Sequence, residues 1–438
     1  MHRVLAFAAG AAALCNETKK RMQEAHIDVL ASLTQRFGAP PADRHPQQLH
    51  LSHTGTPGEL HITWVLPDAG DLCADSRATL HAQGGDQDFP AAWTKYQAGV
   101  VGWAGTVYTA TMAGVAPAGA RLAYSVTSCG NTTGPVPFLA PKAAGPDAEV
   151  TVAVMADMGT TIPLGFATAE QIEKDHKAEA FDLFTLAGDV AYATTDPPKD
   201  ELEAVWDAYG RMTEPFMALA PFAPNVGNRA CFCAPSCGVC SLSALSRTRT
   251  AHVHTTTTPR ADEHTPGTLT NASGTYQVDY AAFQARYGAV PPNGNSNLWY
   301  SYNHGAMHVT CINSEELQTP GSPQAQWLAA DLAAVDRAVT PWLIMMQHRP
   351  VYSSTKSEAG DHTPGMGFPA KLEPYIKCVL RARCLAPAPL CARLPPPRAH
   401  PPPPHPSPFL QAVRCGPLSH WPCVPGAFAL KRCAPRSC

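Results

Sequence analysis

Residues 151–161 read TVAVMADMGTT and residues 181–193 read FDLFTLAGDVAYA. In each stretch a short apolar run, typical of a buried strand, ends at a turn that carries an acidic residue, Asp157 and then Asp189. The helix-forming composition of residues 167–180 predicts a strand–helix–strand unit with parallel strands. The carboxyl ends of such strands lie at one sheet edge, where ligands gather. Two carboxylates there repel each other unless a proton or cation separates them, so the pair predicts a hard metal site.

Tyr192 extends this pattern, because it follows Asp189 by three residues and can reach the same site from the same loop. Taken alone, the sequence Gly-Asp-x-x-Tyr is also compatible with a helix-capping Asp189 and a Tyr192 in the core. Preceded by Asp-x-Gly at Asp157, it resembles the purple acid phosphatases within the calcineurin-like metallophosphoesterases. That resemblance implies that Asp157, Asp189 and Tyr192 are metal ligands.

Two later strand ends continue the resemblance in the family's order. Asn228 closes the stretch PFAPNVGN, and His348 closes the stretch TPWLIMMQH. A lone histidine at a strand end is usually structural, but the position of His348 before Arg349-Pro350 favours a ligand. The resemblance implies that Asn228 and His348 bind a second metal.

The implied centre is therefore dinuclear, with Asp189 bridging both metals. Asp157 and Tyr192 join it at the first metal, where a phenolate donor favours Fe(III). Zn(II), Mn(II) or Fe(II) is expected at the second metal, beside Asn228 and His348. A trivalent ion keeps hydroxide available in acid, so the resemblance implies an acid phosphatase that hydrolyses phosphate monoesters.

The sequence departs from the family at two places. Arg229 stands where the family has a histidine that orients or protonates substrate, so no catalytic residue is assigned. A Cys-, Thr- and Arg-rich insert then occupies residues 229–262. After Lys377 the sequence contains no Gly-His-x-His, the motif that gives one histidine to each metal in the family. Residues 378–438 are Pro-rich and aperiodic, which predicts a disordered tail that supplies no core strand.

Both departures begin at codons that can contain the same splice-donor-like string, GTGCGTG. We therefore interpret them as translation of retained introns, with a genuine insertion and a genuine tail as the alternative. Several residues of the insert also fit a zinc knuckle, an alternative that the interrupted motif disfavours: Cys231, Cys233, Cys237, Cys240, His252 and His254.

Residues 46–137 predict an all-β domain. Alternation at residues 49–51 and 60–64 indicates two strands, and further strands are predicted at residues 102–110 and 121–127. Short strands separated by Gly/Pro turns indicate a β-sandwich. This stretch resembles the fibronectin type III-like domain that precedes the catalytic domain in plant-type purple acid phosphatases, and a linker is expected over Pro137–Asp147.

Residues 148–377 predict an α/β phosphoesterase domain, in which the resemblance implies a central β-sandwich flanked by helices. Helices are predicted at residues 201–218 and 276–287, and after an N-cap at Ser322. A strand pair is predicted within residues 298–315, followed by a buried strand that ends at His348. His304 and His308 are interpreted as ordinary sheet or turn histidines.

The chain has 438 residues and a net charge of −3, so no nucleic acid partner is expected. No apolar run is long enough to span a membrane. Residues 1–15 resemble a signal peptide, which predicts a secreted, extracellular or vacuolar protein. The alternative is a buried N-terminal helix. Cys73 and Cys129 could pair in such a protein, although their spacing alone does not decide it. A homo-oligomer is compatible with the sequence.

Three functions stay open at this point. The first is an acid phosphatase acting on small phosphate esters. The second is a phosphodiesterase or nucleotide pyrophosphatase of the same superfamily. The third is a non-catalytic secreted binding protein built on the β-sandwich and a degenerate phosphoesterase fold.

Overall fold

The structure is a computed structural model that describes residues 44–67, 70–82, 84–98, 103–116, 118–160, 165–178, 180–193, 202–227, 267–316, 318–352, 371–375 and 427–429. The predicted signal peptide, Asn228, the insert at residues 229–262 and its zinc-knuckle residues lie outside this part of the chain. Most of the predicted tail lies outside it as well.

The first part of the chain forms an antiparallel β-unit, as the alternating apolar residues predict. Its strands are β1 (Gln47–His53), β2 (Leu60–Leu66), β3 (Arg77–Ala82), β4 (Gly85–Ala98), β5 (Thr106–Met112), β6 (Arg121–Ser128) and β7 (Asn131–Leu139). They are hydrogen-bonded in the order β1-β2-β5-β4-β3-β6-β7. The predicted linker therefore starts too early, because Pro137 still pairs with Ala123 inside this ladder.

The long strand β4 divides the ladder into two layers. Its first half pairs with β3, and residues 91–94 pair with β5. One hydrophobic core takes Trp64 and Tyr108 from one layer and Tyr124 from the other, so the layers pack face to face as a sandwich. A disulfide between Cys73 and Cys129 joins the segment before β3 to the end of β6. The fibronectin type III-like assignment of this unit stays a prediction.

The predicted strand–helix–strand unit is confirmed. Strand β8 (Val152–Met155), helix α1 (Gly165–Ala178) and strand β9 (Leu183–Ala187) follow one another, and β8 and β9 are parallel. Helix α2 (Leu202–Met217) then leads to strand β10 (Phe222–Asn225), which is parallel to β9. The carboxyl ends of all three strands therefore lie at one edge of this sheet.

One prediction about the tail is wrong. Residues 427–429 form a further strand in this sheet, and they pair antiparallel with β8. A three-residue apolar segment, Ala-Phe-Ala, needs no long-range periodicity to add to an open strand edge, which is why the aperiodic composition of the tail did not reveal it.

The predicted helix at residues 276–287 is wrong in its first half. Residues 267–271 and 274–278 form a hairpin of strands β11 (Gly267–Asn271) and β12 (Gly274–Val278), and helix α3 covers only Ala281–Tyr287. Thr275, Tyr276 and Val278 favour a strand, and Gly274 permits the tight turn before them. Strand β11 also pairs with β4, so this hairpin belongs to the β-sandwich ladder and ties the two predicted domains together.

A second sheet faces the first. Strands β13 (Tyr300–His304) and β14 (Met307–Cys311) form the predicted antiparallel pair, and β15 (Trp342–Met346) is parallel to β14. Helix α4 (Pro323–Ala334) connects them, and its N-cap Ser322 accepts a hydrogen bond from the Ala325 backbone as predicted. Tyr300, Tyr302 and Val309 pack against Leu183 and Ala223 of the first sheet. This is the expected central sandwich, and helices α1, α2 and α3 pack on the outer face of the first sheet.

Strand β15 is not buried as predicted. Trp342 is 58% exposed and Ile344 is 41% exposed. Trp342 and Ile344 face outward although all five residues of β15 are apolar, and among the described residues β15 pairs only with β14. No helix within the described residues is long and apolar enough to cross a bilayer.

Candidate metal centre

The loops after β8 and β9 are joined by backbone hydrogen bonds. The Asp157 amide donates to the Gly188 carbonyl at 3.1 Å, and the Gly159 amide donates to the Val190 carbonyl at 2.9 Å. Because each loop begins directly at a strand end, these bonds hold Asp157 and Asp189 at the same sheet edge.

Three of the predicted ligands have a strained backbone conformation. Asp157, Asp189 and Tyr192 have φ angles of 52°, 49° and 55°, in the left-handed region. For a residue with a Cβ this conformation costs on the order of 1–2 kcal/mol. Such strain clusters at functional sites, where the surrounding structure holds it in place.

The side chains of this edge converge. The Tyr192 hydroxyl donates to Asp157 Oδ1 at 3.1 Å, and His348 Nε2 lies 3.3 Å from Asp189 Oδ1. One donor atom from each of Asp157, Asp189 and His348 lies within 4.8 Å of the others, a spacing that one ion can span. We call Asp157, Asp189, Tyr192 and His348 the strand-end cluster.

The orientation of His348 is set by its other ring nitrogen. Nδ1 lies 3.1 Å from the backbone carbonyl oxygen of Ala187, which can only accept, so Nδ1 carries the proton in this bond. A neutral imidazole then has its lone pair on Nε2, the atom beside Asp189. A backbone carbonyl that accepts one ring N–H in this way is typical of metal-binding histidines.

Two glycines allow the close approach of the loops. A Cβ at Gly188 would lie 2.5 Å from the Cβ of His348. A Cβ at Gly227 would lie 2.2 Å from the Asp189 amide nitrogen and 2.6 Å from its Oδ1. No side chain fits at either position, so Gly227 brings the chain that continues into Asn228 directly against Asp189.

The electrostatics of the strand-end cluster disfavour the deprotonated, negatively charged form of Tyr192. Burial raises the pKa of Tyr192 well above its ordinary value, and the nearby carboxylates of Asp189 and Asp157 raise it further. Tyr192 therefore keeps its proton in the metal-free protein. A cation at this position would reverse the effect, since it would attract the phenolate and both carboxylates.

The structure thus brings together four of the five residues that the sequence analysis singled out as ligands, and the fifth, Asn228, lies outside the described residues. His304 and His308 lie elsewhere, as expected. His304 Nδ1 is 3.1 Å from His53 Nε2, and His308 bridges Asn303 and Asp331.

Sequence reasoning missed one residue beside the site. Asn225 is fully buried at the end of β10, and its side chain bonds to the backbone of the facing sheet. A single asparagine inside the run PFAPNV carries no signal that distinguishes it from a loop residue.

A second group of potential donors, Cys73, Asp75 and Cys129, is not a metal site, because both thiols are consumed by the disulfide.

Comparisons with known proteins identify relatives of this chain. Residues 150–368 match the sequence model of the calcineurin-like phosphoesterases. The chain is 28% identical over 231 residues to a purple acid phosphatase of Glycine max, covering 53% of this chain and 41% of that protein. It is 28% identical over 213 residues to purple acid phosphatase 21 of Arabidopsis thaliana, covering 48% of this chain and 37% of that protein. It therefore spans about two-fifths of the length of these curated relatives.

A solved structure shares the fold. Purple acid phosphatase PPD1, isolated from yellow lupin (Lupinus luteus) seeds, superposes with a TM-score of 0.54 at 20% sequence identity. The match covers 72% of this chain and 52% of that chain.

Proposed function

Because the chain belongs to the calcineurin-like phosphoesterase family, we propose that it hydrolyses small phosphate monoesters and that the strand-end cluster holds the metals required. The observation that carries the proposal is the convergence of two carboxylates, a phenol and an imidazole from separate strand ends. Their donor atoms come together only because two glycines and three left-handed residues allow it.

The donor set fits a pair of cations of different character. Carboxylate and phenolate oxygens suit a hard trivalent ion, and imidazole suits a divalent transition metal. We assign Asp157 and Tyr192 to an Fe(III) site, and His348 with Asn228 to a site for Zn(II), Mn(II) or Fe(II). Asp189 would serve both, because its carboxylate lies within 4.8 Å of donor atoms of both Asp157 and His348. When bound, such a pair supplies Lewis acidity toward the phosphoryl group and an activated water at low pH.

The protein's own groups prepare this site. The Ala187 carbonyl accepts the Nδ1 proton of His348, which directs Nε2 toward Asp189. For Tyr192, the raised pKa means that it gives up its proton only as positive charge enters the site. Loading the site should therefore release a proton, and metal affinity should fall as the pH falls.

One residue of the family's site is replaced in this chain. Arg229 stands where the family has a histidine after Asn228 that orients or protonates substrate. Loss of even an indirect partner commonly weakens metal binding about ten- to a hundredfold. We therefore expect weaker binding of the metal beside Asn228, and slow turnover.

The test compares the two ends of strand β9. Asp189 follows its carboxyl end, whereas Asp182 precedes its amino end, where Lys142 and the Thr151 amide bond to it. The full chain and the variants Asp189→Asn and Asp182→Asn are loaded with Fe(III) and Zn(II). Metal content and hydrolysis of p-nitrophenyl phosphate in acid are then measured.

We expect Asp189→Asn to lower metal content and activity at least about tenfold, and Asp182→Asn to keep both. Unchanged metal content in Asp189→Asn would contradict the proposed site. A wild-type protein that binds metal without hydrolysing the monoester would support a binding protein instead. Faster hydrolysis of bis(p-nitrophenyl) phosphate than of the monoester would support the phosphodiesterase alternative.

A further inference from the structure

The side chain of Asn225 links the two sheets beside the strand-end cluster. Asn225 is the last residue of β10 and is fully buried. Its Nδ2 donates to the carbonyl oxygen of Ile312 at 2.9 Å and to that of Met346 at 3.0 Å. Ile312 directly follows β14, and Met346 ends β15. One carboxamide thus joins the ends of strands from both layers.

The two carbonyls that Asn225 bonds lie at the ends of β14 and β15, and His348 follows soon after the end of β15. Met346 precedes His348 by two residues, and its carbonyl also accepts the Ile312 amide at 2.9 Å. On the other side, Asn225 pairs in the β-ladder with Ala187, whose carbonyl accepts the Nδ1 proton of His348. Asn225 therefore contacts both the strand that carries His348 and the strand that orients its ring.

We propose that Asn225 is a positioning residue for the metal site: it holds β15 against β9 and β10 so that His348 keeps its Nδ1 proton on Ala187 and its Nε2 toward Asp189. The role of His348 as a ligand rests on the proposed function, whereas its ring geometry does not. Asn225 never touches substrate or metal in this account.

The chemistry of the link requires an amide. Both acceptors are carbonyls, so the linking group must offer two donors from one atom, as a carboxamide does. Asn225 Oδ1 is itself buried and accepts no hydrogen bond from the described residues, which is a cost that an apolar side chain would avoid. An asparagine at this position is therefore explained by its two donated bonds. Aspartate has the same shape but would place oxygens against two carbonyl oxygens.

The experiment uses the full chain with 15N-labelled histidine, first freed of metal and held at pH 8. NMR reports which nitrogen of His348 carries the proton, and a Zn²⁺ titration then reports affinity. We expect wild type to show the Nδ1-protonated ring. Asn225→Ala and Asn225→Asp should show a mixture of both tautomers and bind Zn²⁺ about ten- to a hundredfold more weakly.

Asn297→Ala is the matched control. Asn297 is equally buried, and its Nδ2 donates to the Phe283 carbonyl at 3.1 Å, away from His348. This variant should lose stability but keep the wild-type tautomer and affinity. If Asn225→Ala kept both as well, the inference would be overturned.

Two further measurements keep the outcome decisive. If wild type bound no Zn²⁺, the proposed function would fail, while the metal-free tautomer comparison would still judge Asn225. If Asn225→Ala and Asn225→Asp did not fold, Asn225→Ser, which keeps one donor, would take their place. In wild type the Asn225 side-chain amide protons should resist exchange with solvent, and exchange as fast as that of an exposed asparagine would contradict the link.

Discussion

Two buried clusters in this protein each combine two carboxylates with a tyrosine, but their charges are balanced by different means. In the arginine cluster, made of Tyr96, Glu203, Asp207 and Arg286, the guanidinium lies 2.9 Å from Asp207 Oδ1 and 3.6 Å from Glu203 Oε2. It also donates to the Tyr96 hydroxyl at 2.8 Å. In the strand-end cluster, the Tyr192 phenol bonds to Asp157 and the His348 imidazole lies beside Asp189.

The difference shows in the proton affinities of the two clusters. Burial lowers the pKa of Arg286, but Tyr96, Asp207 and Glu203 raise it above its ordinary value, so its charge is permanent. The same charge partly offsets the effect of burial on the pKa of Glu203. At Tyr192, burial and both carboxylates all raise the pKa. The first cluster therefore carries its own permanent cation, whereas a cation bound at the second would attract both carboxylates and the phenolate.

The largest effect should come from removing the cation of the arginine cluster. In Arg286→Met two largely buried carboxylates lose their cationic partner, so we expect the free energy of unfolding to fall by about 3–5 kcal/mol, with or without metal. Chemical denaturation measures the change. The exposed Arg337 supplies the control, and Arg337→Met should stay within about 0.5 kcal/mol of wild type. A loss in Arg286→Met that metal restored would break the distinction between the clusters.

The same contrast explains what could be predicted from sequence. Asp157 and Asp189 follow short apolar runs at glycine turns, so the local pattern alone places both at one sheet edge. Tyr192 and His348 could be predicted as ligands only from the order of the motifs along the chain. The arginine cluster had no such signal, because Arg286 and Tyr96 are 190 residues apart and meet only through packing of the two predicted domains.

Two of the wrong predictions, the helix over residues 276–278 and the burial of β15, have a related cause. The sequence around Tyr276 and Val278 predicts a helix, because their strand exists only through pairing with β11 and, beyond it, β4. Trp342 and Ile344 were expected to be buried because apolar runs usually have neighbours on both sides. In both cases the outcome depends on which strands pair in the folded protein, and a short stretch of sequence does not carry that information.

The second prediction concerns added metal. A ligand at a hundred times its Kd stabilises the folded state by about 2.7 kcal/mol. Zn²⁺ at that excess should raise the free energy of unfolding of wild type and of Arg286→Met by this amount. Asp189→Asn should show no rise, because it lacks the shared carboxylate. An equal rise in Asp189→Asn would mean that Zn²⁺ binds somewhere other than the strand-end cluster.

The third prediction concerns pH dependence. It tests whether His50, which lies next to the arginine cluster, is neutral in the folded protein. The ring of His50 lies 5.0 Å from that of Tyr287, and burial lowers the pKa of His50 to about 4 against a small opposing effect of the Gln48 backbone. Below about pH 6.5 the unfolded chain takes up a proton that the folded chain refuses. His50 therefore contributes stability that is present above pH 6.5 and is lost as the pH falls toward 4.

Lowering the pH from 7 to 5 should thus cost wild type about 2 kcal/mol more than it costs His50→Asn, which has nothing to titrate at this position. Urea denaturation of the metal-free proteins at both pH values isolates the difference, since other groups titrate equally in both. Parallel pH dependence of the two proteins would show that His50 is not held neutral by burial.

The smallest change in stability is expected from Tyr192→Phe, and it separates the two tyrosines most sharply. The variant loses the hydrogen bond from the hydroxyl to Asp157, so the free energy of unfolding should fall by only about 1 kcal/mol. Its consequence for the metal site should be much larger, because the phenolate is the donor that favours Fe(III). The Fe(III)-loaded wild type should absorb visible light through tyrosinate-to-iron charge transfer, and Tyr192→Phe should not.

Tyr96→Phe is the matched control. The Tyr96 hydroxyl donates to Glu203 and accepts from Arg286, so its loss should cost more stability and leave the colour intact. Colour that persisted in Tyr192→Phe and vanished in Tyr96→Phe would exchange the roles assigned to the two clusters.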